Sequence, residues 1–287
     1  MAQITERQVE VGTLSLHVAE CGKGRPVVLL HGFPEHWYSW RHQMQALADA
    51  GYRAIAPDLR GYNLSDKPRA IADYTMDKLI GDVVGLCDAL GLPEIDLVAH
   101  DWGGAVGWYV GLEHAHRLRT LTICNSPHPV IFRRLLRTPA QLRRSWYMFA
   151  FQLPFLPERQ LQRPGFAEKA LRGWAVHKER FPDEDLARYT TAIAQPGAAT
   201  GMINYYRAGL RYPRPWRGTI KVPTLVLWGE QDRALGIECL DGLERYVEDL
   251  RVVRIPDASH WVQQDAPETV NRELCAFLAA HPVDAAG

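Results

Sequence analysis

The sequence predicts an α/β fold, a mostly parallel central sheet flanked by helices with a helical lid inserted between two strands, and three observations predict it. Short apolar runs alternate with amphipathic stretches from residue 26 to residue 123 and again after residue 223. That alternation is the pattern of strands covered on both faces. Between about residues 129 and 215 the strand signal stops, and Pro139, Pro154, Pro157, Pro164, Pro182 and Pro196 break a stretch rich in Arg, Leu, Ala, Tyr and Trp. Several short helices suit such a stretch. With 287 residues the chain can bury one large core. The expected organisation is therefore a core domain of residues 1–128 and 216–287 and a helical cap domain of residues 129–215.

The elements follow in order. Residues 8–11 and 14–18 alternate apolar and polar positions as an opening strand pair, and residues 26–30 form an apolar strand. A helix is expected near residues 37–50, a strand at 52–56 and a helix at 76–90. Residues 95–98 make a short buried strand, and the small residues of 103–111 suit a helix packed close against it. Strands follow at 118–123, 223–228 and 250–255, and a last helix runs from about 267 to 280. The tail 283–287 is expected to be disordered. There is no internal repeat and no low-complexity tract.

Composition narrows the function classes. Lys plus Arg and Asp plus Glu both number 33, so the net charge is zero and no electrostatic case exists for nucleic acid. A small neutral substrate is expected instead. The five cysteines are scattered, never as C-x-x-C, and read as core thiols of a reducing cytosol. No secretory signal and no apolar run of about 20 residues is present, so a cytoplasmic protein with no membrane partner is expected. Monomer and homo-oligomer stay equally open. The arginines at 133, 134, 137, 143 and 144 read as a solvated basic face.

Asp101 falls where the strand of residues 95–98 turns into the following helix. Such an elbow, usually G-x-S-x-G, exposes its central side chain and offers the next backbone N–H to a developing oxyanion. Here it reads Ala99-His100-Asp101-Trp102-Gly103, and no serine of the chain has that context. A carboxylate there attacks saturated carbon. The loop His31-Gly32-Phe33-Pro34-Glu35 can bring the Phe33 N–H beside that of Trp102 as a second oxyanion donor, and a cis Pro34 bond would aim Phe33 into the site.

The base must come late in the chain. His260 lies in the loop beyond the last strand, and Asp232, in Trp228-Gly229-Glu230-Gln231-Asp232, leaves the preceding one. Nucleophile, acid, histidine is the order expected of this arrangement. Asp232 would orient the imidazole, with Glu230 in reserve; it would equally suit an N-cap for residues 235–243. His114 and His116 have no carboxylate or cysteine cluster around them and read as surface residues.

These segments, with Asp58-Leu59-Arg60-Gly61-Tyr62, resemble the epoxide hydrolases of the α/β-hydrolase superfamily, in the aspartate-nucleophile branch shared with haloalkane dehalogenases. The resemblance spans almost the whole chain and implies an α/β-hydrolase fold. Ring opening makes an alkoxide, and phenols protonated at neutral pH suit it as donors. Family members use two lid tyrosines, which the resemblance carries to Tyr147 and Tyr206. Tyr205 adjoins Tyr206, and helical neighbours point about 100° apart, so one of the pair faces the nucleophile; the segment match ranks Tyr206 first.

The implied function is hydrolysis of an epoxide to a vicinal diol through an aspartyl ester, with water as the second substrate and no metal or cofactor. Phe33, Trp37, Trp102, Phe149 and Phe151 suggest a hydrophobic pocket. A haloalkane dehalogenase is the alternative, which Trp102 does not exclude, although the Phe33-Pro34-Glu35 loop lacks the polar side chain common there. Trp102 and Ala105 stand where fluoroacetate dehalogenases have arginines, which disfavours a charged acid substrate. Ala99, where epoxide hydrolases often have glycine, tightens the elbow. A silent hydrolase fold used as a receptor is a third reading, against which the nucleophile, acid and base residues all stand.

Overall fold

The computed structural model describes residues 2–282. The tail 283–287, expected to be disordered, lies outside the described residues. Eight strands form one sheet: β1 (Thr5–Val11), β2 (Leu14–Gly22), β3 (Arg25–Leu30), β4 (Tyr52–Pro57), β5 (Ile95–His100), β6 (Leu118–Cys124), β7 (Thr224–Gly229) and β8 (Leu250–Ile255), in spatial order β1-β2-β4-β3-β5-β6-β7-β8. β1 pairs antiparallel with β2 and β2 with β4, and every later pairing is parallel.

Period-2 burial splits the core into two layers. Val28 and Leu30 of β3 and Leu97 and Ala99 of β5 join the helices α2 (Met76–Ala89) and α3 (Asp101–Glu113). Val27, Leu29 and Val98 join α1 (Arg41–Asp49) and the C-terminal helix (Pro267–Ala280) through Met44, Leu47, Leu274 and Phe277. Asp96 is buried in β5, where the Arg25 guanidinium and Thr120 Oγ1 satisfy its carboxylate.

Between β6 and β7 the chain runs through α4 (Pro129–Leu135), α5 (Pro139–Arg144), α6 (Trp146–Ala150), α7 (Leu156–Leu161), α8 (Phe166–Ala170), α9 (Asp183–Ala194) and α10 (Ala198–Arg211). Prolines begin α4 and α5, where a missing N–H costs nothing. A short α11 (Val262–Asp265) precedes α12 (Pro267–Ala280).

The structure departs from the sequence reading at three places. β1 and β2 are longer than 8–11 and 14–18 because they close a hairpin at Gly12 whose paired backbone holds polar residues as well as apolar ones. The helix expected from residue 37 starts as a 3-10 turn and becomes α1 at Arg41. Residues 235–243 give only 3-10 turns, interrupted by Gly236 and Gly242.

Candidate active site

Asp101 opens α3 directly after β5, with φ at +49°. A non-glycine residue enters that left-handed region only when its surroundings hold it there. Here three contacts do. Ser126 Oγ donates to the Asp101 carbonyl at 2.7 Å, Gly103 N–H donates to the His31 carbonyl at 3.1 Å, and Phe33 N–H donates to Asp101 Oδ1 at 2.8 Å. The turn is tight enough to need glycine around it: a Cβ on Gly32 would sit 2.4 Å from the Asp101 Cβ, and one on Gly103 2.4 Å from the Leu30 carbonyl. Ala99 fits because its methyl faces Gly107 of α3, where a Cβ would stand 3.1 Å away.

Phe33 belongs to the loop after β3, and the Phe33–Pro34 peptide is cis. His31 is fully buried; its Nδ1 reaches the Gly32 carbonyl at 2.9 Å and its Nε2 accepts the Leu59 N–H at 3.0 Å, so it joins this loop to the one after β4. The Trp102 N–H lies in the first turn of α3, where backbone donors have no helical acceptor.

His260 comes from the loop after β8. Its Nε2 is 3.6 Å from Asp101 Oδ2 and its Nδ1 2.7 Å from Asp232 Oδ2. Burial alone would lower the imidazole pKa, but the charge of Asp232, the hydrogen bond to it and the nearby Asp101 carboxylate outweigh it and raise it to about 10. The Asp101 carboxyl is held below its ordinary range although burial opposes this, because His260 and the Phe33 N–H favour the charged form. Asp232 follows β7. Its Oδ1 accepts the Ala234 and Leu235 N–H groups at 2.7 and 2.9 Å, so it caps a turn and holds the histidine at once.

The two tyrosines of α10 part company. Tyr205 gives its hydroxyl to the Arg60 carbonyl at 2.9 Å, whereas the Tyr206 ring packs edge-on against Trp102 at 5.1 Å and Tyr147 at 5.8 Å. Burial is the largest influence on both Tyr147 and Tyr206 and pushes their phenols up, with the Asp101 charge adding to it. Both therefore stay protonated beside the carboxylate.

A cavity of about 290 Å³ opens from Asp101 between α3, α4 and α10, lined by Trp102, Phe132, Tyr147, Met148 and Tyr206 among others. Four pocket expectations need correction. Trp37 is packed in the opposite layer with α1 and α12, and Phe149 points to solvent at 50% exposure. Apolar character marks a buried or lid position but not which face it serves. Phe33 and Phe151 pack edge-on against Tyr206 at 5.3 and 4.9 Å and are not among the lining residues.

Several supporting residues carry no assignment from sequence. Glu35 is buried against the elbow and receives Gln264 Nε2 at 2.7 Å and Gln263 Nε2 at 3.1 Å, with His100 Nδ1 at 2.7 Å. His100 Nε2 in turn meets the His260 carbonyl at 2.9 Å. Burial would raise the Glu35 carboxyl, and His100 beside it holds it below the usual range instead. Asn125, also at positive φ, donates to Asp232 Oδ2 at 2.9 Å and accepts the Gly229 N–H at 2.7 Å. Glu35 and His100 lie inside the segments that the sequence singles out, which is the one signal that could have found them.

Comparison with known proteins agrees with this geometry. Residues 25–267 match the family model described as alpha/beta hydrolase fold. The chain is 39% identical over 278 residues to the AB hydrolase superfamily protein YfhM of Bacillus subtilis, covering 94% of this chain and 96% of that protein. It is 38% identical over 273 residues to Epoxide hydrolase 4 of Mus musculus, covering 91% and 75% respectively. Among solved structures, a Bacillus megaterium epoxide hydrolase in complex with an inhibitor superposes with a TM-score of 0.88 at 32% identity, covering 95% of this chain and 100% of that one.

Proposed function

The chain belongs to the α/β-hydrolase fold family and to its epoxide hydrolases, and from that premise we propose that it converts a small, neutral, hydrophobic epoxide to a vicinal diol through an ester on Asp101. Asp101 Oδ2 attacks one oxirane carbon and the carbon–oxygen bond of the ring breaks. Tyr147 and Tyr206 hydrogen-bond the departing oxygen, and one of them gives it a proton. Water then attacks the ester carbonyl while His260, oriented by Asp232, takes its proton. The oxyanion forms on Oδ1, where the Phe33 N–H already points and the Trp102 N–H stands as second donor. Collapse of the tetrahedral species expels the diol, whose leaving oxygen takes the proton from His260, and the Asp101 carboxyl gives its remaining proton back to the ionised tyrosine, restoring both.

The observation that supports this reading above the rest is the division of the Asp101 carboxylate. Oδ1 accepts the Phe33 N–H at 2.8 Å, and Oδ2 lies 3.6 Å from His260 Nε2. One oxygen is pre-set as the carbonyl of an ester and the other is left to attack.

Replacing His260 with Gln tests it. Ring opening should persist and hydrolysis stall, so intact-mass spectrometry after epoxide addition should find the protein heavier by one substrate. Single turnover in heavy-oxygen water should place the label in Asp101 rather than in the first diol released. Label passing straight from water into that diol would defeat the ester scheme. Halide release from a 1-haloalkane, compared with diol from a matched epoxide, tests the dehalogenase alternative in the same assay.

A further inference from the structure

The inserted segment has two faces, and only the inner one serves the cavity. Tyr147 and Met148 of α6 line it and Phe151 packs on Tyr206. On the other face Leu142, Trp146, Phe149, Leu153 and Leu156 recur at spacings of four, three, four and three residues. They lie in α5, α6, the turn after it and the start of α7, and all five are exposed, Trp146 at 65%. Phe155, at 74%, is more exposed than any of them and holds φ at +62°, a conformation costly for an aromatic residue. Exposed large apolar side chains gathered this densely in one stretch of chain mark a contact site.

Charge says what the contact is. Over residues 129–163 the chain carries seven arginines, 133, 134, 137, 143, 144, 159 and 163, against the single acid Glu158, although the whole chain is neutral. Glu158 is taken by Arg207, and Arg144 is paired with Glu238. Arg137, Arg143, Arg159 and Arg163 are exposed and make no ion pair among the described residues. A second copy of the chain docking by two-fold symmetry would set these arginines against themselves. An anionic lipid surface instead accepts both features, taking the Trp and Phe rings at headgroup depth and the guanidinium groups at the phosphates.

Against the compositional expectation of no membrane partner, we propose that the outer face of residues 137–163 docks on an anionic lipid bilayer surface, with Trp146, Phe149 and Phe155 entering the interface and Arg137, Arg143, Arg159 and Arg163 contacting headgroups. The inference is independent of the chemistry at Asp101.

Co-sedimentation of the full chain with phosphatidylcholine vesicles, alone or mixed with phosphatidylglycerol, at low and high salt, is the test. Binding is expected with the mixed vesicles at low salt and should weaken at high salt. Each arginine removed should lower the partition coefficient about fivefold, so R143Q with R159Q should lose roughly 25-fold. Phe155→Asn and Trp146→Gln should also weaken binding. Far-UV circular dichroism and turnover of a water-soluble epoxide should match the wild type. Wild-type binding no greater with phosphatidylglycerol than without it overturns the proposal, and this arm needs no variant. So does binding unmoved by the substitutions. Sedimentation velocity showing a dimer that F155N with R159E dissociates would reassign the face to self-association and overturn it as well.

Discussion

His260 Nδ1 lies 2.7 Å from Asp232 Oδ2, while Asp232 Oδ1 is occupied by the Ala234 and Leu235 N–H groups. The aspartate thus has one oxygen for the imidazole and one for the turn that fixes it, and two substitutions separate the tasks. Asp232→Asn keeps an oxygen for the turn, so it should cost under about 1 kcal/mol of stability, yet it offers no carboxylate to the imidazole and should slow ester hydrolysis by about 10²–10⁴. Asp232→Ala loses both and should cost about 2–3 kcal/mol as well. Denaturant unfolding and single-turnover decay of the ester measure the two effects; equal stability of the two variants would remove the capping role.

The raised pKa of His260 has a defined pH signature. Its folded value of about 10 lies above the unfolded value of about 6.5. The stability from the charged imidazole is therefore complete below about pH 6.5 and is lost as pH rises through about 10, on the order of a few kcal/mol in all. His260→Gln should flatten that alkaline decline in a melting series. Esterification of Asp101 would cancel one of the two charges that hold the proton, letting His260 act as a base only after ring opening. Asp101→Asn mimics this neutral state, and the imidazole pKa read by NMR should fall well below 10. An unchanged value would mean that the Asp101 charge does not control the base.

Much of the arrangement is legible in the chain because its parts are local or ordered. The elbow places Asp101 by a strand, a turn and a helix of small residues, and chain order alone points to Asp232 and His260, which the fold brings together. Tyr205 and Tyr206 are separable in sequence only by helical angle, and the fold separates them by giving the Tyr205 hydroxyl to Arg60. What stays hidden depends on distant pairing. Glu35 meets partners 65, 228 and 229 residues away, and no local pattern encodes such distances. Trp37 and Phe149 are misplaced because hydrophobicity does not say which side of a sheet or lid a ring faces.

Removing the Tyr205 hydroxyl should cost about 1 kcal/mol from its bond to the Arg60 carbonyl and leave turnover nearly unchanged. Tyr206→Phe or Tyr147→Phe should instead slow ester formation by about 10²-fold or more, and both together further still. Ester formation in a His260→Gln background isolates that step. Ring opening that survives the double substitution intact would return both phenols to a packing role.

Arg207 ties the helices that carry Tyr147 and Tyr206 together. Its Nε donates to the Phe151 carbonyl at 3.0 Å, Nη2 to Leu153 at 2.7 Å and Nη1 to Glu158 Oε1 at 2.6 Å. Gln152 Nε2 adds a bond to the Tyr206 carbonyl at 3.2 Å. The helix carrying Tyr206 is thereby fixed against the end of the helix carrying Tyr147. Arg207→Met leaves Glu158 without its partner and should cost about 3 kcal/mol. Adding Glu158→Leu removes the stranded carboxylate and should restore most of that stability. The ring-opening rate should stay low in the double variant, because the carbonyls that hold the spacing of the tyrosines still lack their donor. Recovery of rate in step with stability would show that Arg207 supports the fold alone; recovery of stability without rate is the result expected of a residue that positions the donors.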